Sequence, residues 1–202
     1  MKNFDWKKIL PYAVAIVAFV AVAMIYCAPA LEGKVLVQGD VNNWKGAAQE
    51  ARAFYDEHGT RTWWTNSMFS GMPTYQVSPS YDSGNLLDAI YSIYGLGTTG
   101  VLNYVFLYLL GFYILLRCFN IKPWVSAVGA VAWAFSSYFF IIVQAGHNSK
   151  TSSIALISVV VGGFYLIFRK RYGLGVVLTM LFTAIGFGNH PQMSYYLFMM
   201  IR

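Results

Sequence analysis

Acidic residues are missing from the whole second part of this chain. All eight Asp and Glu lie at or before Asp88, and Ala89 to Arg202 contains none. Charge of either sign is scarce: Asp, Glu, Lys and Arg make up 11% of the 202 residues, against roughly 25% in a soluble domain. That deficit excludes an ordinary soluble domain and removes nucleic acid as the meaning of the +6 net charge. Cysteine is nearly absent. Cys27 and Cys118 each end an apolar run. The topology below puts them on opposite membrane faces, which excludes a disulfide needing Cα atoms within about 7 Å. A Gly-rich phosphate loop, an HExxH zinc pair and clustered carboxylates are missing too, as are internal repeats and low-complexity tracts. Soluble-nucleotide chemistry therefore has no handle here, and two dispersed histidines, His147 and His190, are weak grounds for a metal.

What the chain has instead is apolar surface. Hydrophobic residues are 57% of it and aromatics 18%, which fits a bilayer protein with interfacial Trp and Tyr belts. Pro11 to Ala28 is uncharged and near the ~20 residues needed to span. Ala28-Pro29-Ala30 resembles a signal-peptidase site, but the apolar run is too long and the proline disfavours cleavage, so an uncleaved anchor is expected. Four further apolar runs predict spans over Val101–Leu116, Pro123–Gln144, Ser153–Phe168 and Leu174–Phe187. "GNHPQ" then interrupts the pattern, and Met193 onward reads as the start of a sixth span. The expected fold is thus an all-α polytopic membrane protein. Residues 1–30 form the N-terminus and first span, 31–97 a long extracytoplasmic loop, and 98–202 spans two to five with the start of the sixth.

The loop carries two helical patterns. Trp44, Ala47, Ala48, Ala51, Phe54 and Tyr55 fall on one face, with Asn43 placed to cap the start and Gly59 to end it. "NLLDAIYSIYGLG" aligns Leu86, Leu87, Ile90, Tyr91 and Tyr94. Both read as amphipathic helices lying along a membrane surface. Between them, "TRTWWTNSMFSGMPTYQVSPSYDSGN" is rich in turn formers and aromatics.

Basic residues set the orientation. With a cytoplasmic N-terminus, the short inner segments hold Lys2, Lys7, Lys8, Arg117, Lys122, Arg169, Lys170 and Arg171. The outer ones hold Lys34, Lys45, Arg52, Arg61 and Lys150, mostly in the one long loop. This obeys the positive-inside rule. Three polar stretches then converge on the outer face: "QGDVNN" with Asp40, "GHNSKTSS" from Gly146, and "GNHPQ" from Gly188.

These stretches supply the candidate site. "GHNSKTSS" opens the fourth span, where free N–H groups and the partial positive charge of a helix start suit an anion. Lys150 adds a full charge, and Asn148 and the hydroxyls add donors, as a lipid phosphate would require. A capped helix with a snorkelling lysine explains the same residues. His147, His190 and Gln192 are secondary contacts in the first reading and structural hydrogen-bonding residues in the second. Asp40 sits roughly ten residues beyond the first span, close enough for the chain to fold it back against the membrane. There it can act as a general base, which must reach its proton within about 2.6–3.2 Å. A lone loop aspartate also serves as a turn or helix-entry residue. Glu32, Asp56, Glu57, Asp82 and Asp88 compete for the catalytic role, Glu32 most closely. Trp64 and its aromatic neighbours could form a lid or sugar-stacking wall, or simply anchor the loop among headgroups.

"LEGKVLVQGDVNNWKG", "WTNSMFSGMPTYQV", "GHNSK" and "GNHPQMSYY" resemble the YfhO-like polytopic membrane proteins in a form found in Bacteroidota. The resemblance runs through essentially the whole chain. Members are longer, so it implies an N-terminal portion. The family is similar to the GT-C glycosyltransferases, which use polyprenyl-phosphate sugars on the outer membrane face. Those enzymes carry a catalytic acid in the first extracytoplasmic loop soon after the first span, where Asp40 stands here. The loop lacks a clear D-x-D pair, so no cofactor is expected, a divalent metal being an unsupported option.

The resulting expectation is a GT-C-like enzyme of the bacterial inner membrane. It would transfer a sugar from a polyprenyl-phosphate donor to a cell-envelope acceptor at the periplasmic face. Asp40 would be the base, and His147, Asn148, Lys150, His190, Gln192 and Trp64 would bind substrate. Its partners are membrane lipid, donor and acceptor, with no nucleic acid. Two rivals come from other classes. A transporter or lipid flippase with a periplasmic cap is disfavoured because ion-coupled transporters place ionisable groups inside spans, and the later spans hold no acid. A noncatalytic envelope-assembly subunit is the third reading.

Overall fold

The computed structural model describes residues 6–77 and 86–201. Asp82, one of the rival acids, lies outside them. Among the described residues there are eleven α-helices: α1 Trp6–Tyr26, α2 Ala28–Leu31, α3 Gly39–Ala47, α4 Gln49–His58, α5 Leu86–Tyr94, α6 Gly100–Cys118, α7 Pro123–Ala134, α8 Ser137–Ala145, α9 Asn148–Phe168, α10 Tyr172–Asn189 and α11 Pro191–Met200. A two-residue antiparallel ribbon pairs β1, Trp64–Thr65, with β2, Met72–Pro73. It is the one departure from an all-α reading.

Four helices are long and apolar enough to cross a membrane: α1, α6, α9 and α10. The pair α7 and α8 passes the same test together but bends by 47° between its halves. The chain is therefore helical with four or five candidate spans, as its apolar runs predict. The expected third span, Pro123–Gln144, is not one straight helix. Phe135 closes α7, and Ser136 takes an extended backbone, φ −63° and ψ 133°, before α8 starts. The fourth span begins earlier than its apolar run. Its polar lead-in "NSKTS" is already helical, because α9 starts at Asn148.

The loop helices also differ from expectation. The expected single amphipathic helix is two, α3 and α4, joined at Ala48. Asn43 lies inside α3 and does not cap it, since the helix starts at Gly39. Gly59 does end α4, in the left-handed region at φ 67°, with its N–H on the Tyr55 carbonyl at 2.8 Å. In α5, Tyr91 and Tyr94 pack into the bundle rather than onto an open surface. Tyr94 meets Phe182 of α10 edge-on at 4.8 Å.

The core lies around α6 and α9. Phe106, Leu107, Tyr108 and Leu109 of α6 and Leu156, Val159, Val160 and Leu166 of α9 are fully enclosed, while α1 and α10 keep most of their apolar surface outward. That asymmetry suits helices facing lipid on one side. Between helices in a bilayer the hydrophobic effect gives little drive, so close backbone approach through small residues matters more. The α9–α10 seam has that character: a Cβ on Gly163 would stand 2.5 Å from Thr179 Oγ1, and one on Gly175 2.9 Å from the Gly163 carbonyl.

Candidate functional site: an Asp–His pair under a backbone strap

Asp40 is the second residue of α3, in its first turn, where a carboxylate is favoured by the helix dipole. Gln38 precedes the helix in an extended conformation, φ −117° and ψ 120°, so the chain from Val37 enters as a strap. The strap crosses the corner between α8 and α9. Gly146 makes that corner by ending α8 at φ 100°, the left-handed region that glycine occupies without strain. A Cβ there would stand 3.1 Å from Gln38 Cβ and Val41 N, and 3.3 Å from Asp40 Cβ. The glycine thus serves twice, as a turn and as the surface on which the strap rests.

Amides lock the crossing. Gln38 Nε2 donates to Asn148 Oδ1 at 3.1 Å, and Asn148 Nδ2 donates back to Gln38 Oε1 at 3.2 Å. Gln38 Nε2 also donates to the Val143 carbonyl. Gln144 Nε2 donates to the Val37 carbonyl at 3.3 Å. The outcome is that His147 Nδ1 and Asp40 Oδ2 stand 3.0 Å apart, each side chain about half exposed, at 50% and 52%. If Nδ1 carries the proton donated to the carboxylate, neutral His147 keeps Nε2 as an acceptor. An oriented carboxylate–imidazole pair of this kind can take a proton from a hydroxyl. Among the described residues no third His, Cys, Asp or Glu joins the pair in a metal-binding group.

The chain matches no protein-family model, no curated protein and no solved structure. The site's meaning therefore rests on its own geometry.

The other expected residues divide. Asn148 is part of the lock, and Lys150 lies on the first turn of α9, its ammonium 5.6 Å above the Tyr138 ring. No side chain caps α9. Its following hydroxyls turn inward: Thr151 and Ser152 donate to the His147 and Asn148 carbonyls at 2.9 and 3.1 Å. Ser153 donates to the Gly186 carbonyl at 3.3 Å, which brings the end of α10 beside the start of α9. The third polar stretch therefore shares this end of the bundle. Its side chains have local roles, however. His190 Nδ1 accepts the Met193 N–H at 3.4 Å at the start of α11, and Gln192 donates to Tyr196 Oη at 2.8 Å. Trp64 is also engaged locally. Its ring covers Gly71, where a Cβ would stand 2.8 Å from it, and Nε1 donates to Asn66 Oδ1 at 3.3 Å.

Two of the rival acids, Glu32 and Glu57, lie beside other residues, as does Glu50. Glu32 pairs with Lys34 at 2.7 Å on an exposed turn. Glu50 Oε2 accepts from Thr65 Oγ1 at 2.7 Å and the Asn66 N–H at 2.9 Å, pinning the aromatic loop to α4. Glu57 is 3.9 Å from His58. Gln38, Gln144 and Gly146 are the functional residues that the sequence reading missed. Their only linear signal is amides beside the acid and at the end of an apolar run, which does not say that the two segments meet.

Proposed function

We propose that this chain belongs to a membrane glycosyltransferase of the GT-C type, acting at the periplasmic face of a bacterial inner membrane. It transfers a sugar from a polyprenyl-phosphate donor to a hydroxyl of a cell-envelope acceptor. The observation that carries the reading is the 3.0 Å pair of Asp40 and His147, set beside the uncapped start of α9. The resemblance of its loop motifs to the YfhO-like proteins supports the substrate class.

The step is a single displacement. The acceptor oxygen bonds to the anomeric carbon as the bond from that carbon to the phosphate oxygen breaks, and prenyl phosphate departs. The acceptor's proton passes to the Asp40–His147 pair, His147 Nε2 receiving it while Asp40 holds the ring. The geometry shifts the sequence expectation from Asp40 alone to the pair. Lys150 and the N–H groups of α9 offset the charge gathering on the leaving phosphate. His190, Gln192 and Trp64 have no part in this step, since their hydrogen bonds are local.

The test places Asp40→Asn and His147→Gln separately in the chromosomal gene and compares envelope glycans by mass spectrometry with those of a deletion strain. Loss of a general base lowers transfer by about 10²–10⁴-fold, so either variant at normal protein level should give the deletion profile. Unchanged glycans in both variants would remove the pair from the chemistry. Unchanged glycans in the deletion strain would remove the activity itself.

A further inference from the structure

A cavity lies at the opposite end of the bundle from Asp40. It has a volume of about 620 Å³, within the range of roughly 300–1,000 Å³ that takes a ligand-sized group. Tyr12 of α1 forms one wall and Leu178 of α10 the other, with Leu166 of α9 and Tyr113 of α6 between them. α1 packs on α6 and α7, and α10 on α9, so the cleft separates the two outermost helices. Toward the bundle end it stops being apolar. Arg117, in the last turn of α6, and Arg171, which precedes α10, stand at the mouth. A smaller recess of about 220 Å³ shares Arg171 and adds Arg169.

Two features of this cleft are unexplained by the fold alone. Arg117 donates to Tyr12 Oη at 2.9 Å and lies 5.2 Å over its ring, yet its Nε is buried without a partner. The Tyr113 hydroxyl, on a side chain only 4% exposed, is likewise buried without one. Buried donors without acceptors are costly. Among the described residues no carboxylate pairs with Arg117 or Arg171, and the acid-free stretch from Ala89 onward supplies none from the same helices.

We propose that this cleft binds one anionic phospholipid from the leaflet on the arginine face. Its phosphate sits between Arg117 and Arg171, accepts from Arg117 Nε and the Tyr113 hydroxyl, and its acyl chain lies along the apolar wall toward Leu178. Guanidinium groups match phosphate oxygens in geometry as well as charge. An anionic headgroup is preferred over a zwitterionic one because the latter brings its own ammonium toward two cations. Under the orientation proposed above this is the cytoplasmic leaflet, so the site is separate from the sugar-transfer site, and its occupancy does not depend on that chemistry.

The test is native mass spectrometry of the full-length protein released from nanodiscs of equal phosphatidylglycerol and phosphatidylethanolamine. Each basic residue near an anionic leaflet is worth about a fivefold preference. The wild type should retain one phosphatidylglycerol over phosphatidylethanolamine by roughly tenfold or more. Arg117→Gln with Arg171→Gln should abolish that preference. Leu178→Trp, which fills the apolar part and keeps both arginines, should lower retention of the same lipid, and it serves if the double variant does not fold. Equal retention of the two lipids in the wild type would overturn the site, as would a preference that survives both substitutions. Displacement of the lipid by millimolar inorganic phosphate would mean a free-anion site instead. A released dimer, or a protein that keeps neither lipid, would mean that protein fills the cleft.

Discussion

Gly146 bears on the site more directly than its lack of a side chain suggests. Its φ of 100° is a region that other residues enter at a cost, and its open side carries the strap at 3.1 Å. Those two requirements can be separated. Alanine at 146 meets both penalties, strain of about 1–3 kcal/mol and a push against Gln38 and Val41. Asparagine tolerates the left-handed region better than alanine, but its Cβ meets the same strap. Thermal unfolding of the purified protein should therefore fall clearly for Gly146→Ala and less for Gly146→Asn. Sugar transfer should fall in both, because both displace Asp40 from His147. An asparagine variant with full activity would show that only the turn matters. Asp40 and His147 were legible in the sequence as polar residues on a shared face. Their pairing was not, because a one-dimensional pattern gives the side of the membrane and not the contact.

At the level of elements, the apolar runs were read well, for a simple reason. A helix crossing hydrocarbon must satisfy its backbone internally and present apolar side chains over its whole length, so span and run coincide in α6 and α10. The misreadings fall where that filter gives no signal. The break at Phe135–Ser136 leaves the run apolar throughout, so composition cannot mark it. The early start of α9 is polar because it lies at the site, and hydropathy reads it as a connector. In the loop, α4 and the aromatic ribbon are joined by Glu50, which accepts two hydrogen bonds from Thr65 and Asn66. Thr65 is fully buried although its neighbour Trp64 is exposed. Hydrogen bonds to a charged group are worth about 1.5–3 kcal/mol each when buried, and partial exposure here discounts that. Glu50→Ala should free the segment from Thr62 to Thr74 while the spans stay intact. Limited proteolysis should then cut within that segment many times faster than in wild type, with the melting of the bundle little changed. Unaltered protection of the segment would mean that β1 and β2 hold themselves.

For the molecule as a whole, sidedness is the property on which both ends depend. The fold puts Ser149 and the loop residue Trp63 toward the Asp40 end, and Lys122 between α6 and α7 toward the arginine end. It assigns neither end to a compartment. Charge does so: short connectors rich in Lys and Arg stay cytoplasmic, and Arg117, Lys122, Arg169, Lys170 and Arg171 crowd the two short turns at the arginine end. In a background with Cys27 and Cys118 replaced by alanine, single cysteines can report this. Trp63 is 76% exposed, so Trp63→Cys should react with an impermeant maleimide in intact spheroplasts, and Ser149→Cys should do the same. Lys122→Cys should react only after the membrane is opened. Reversal of all three would invert the protein, moving the Asp–His pair into the cytoplasm and ending the proposal of sugar transfer at the periplasmic face. Labelling of Trp63→Cys and Ser149→Cys from opposite sides would be more serious. It would contradict the strap itself, since residues 37–41 could not then lie on Gly146.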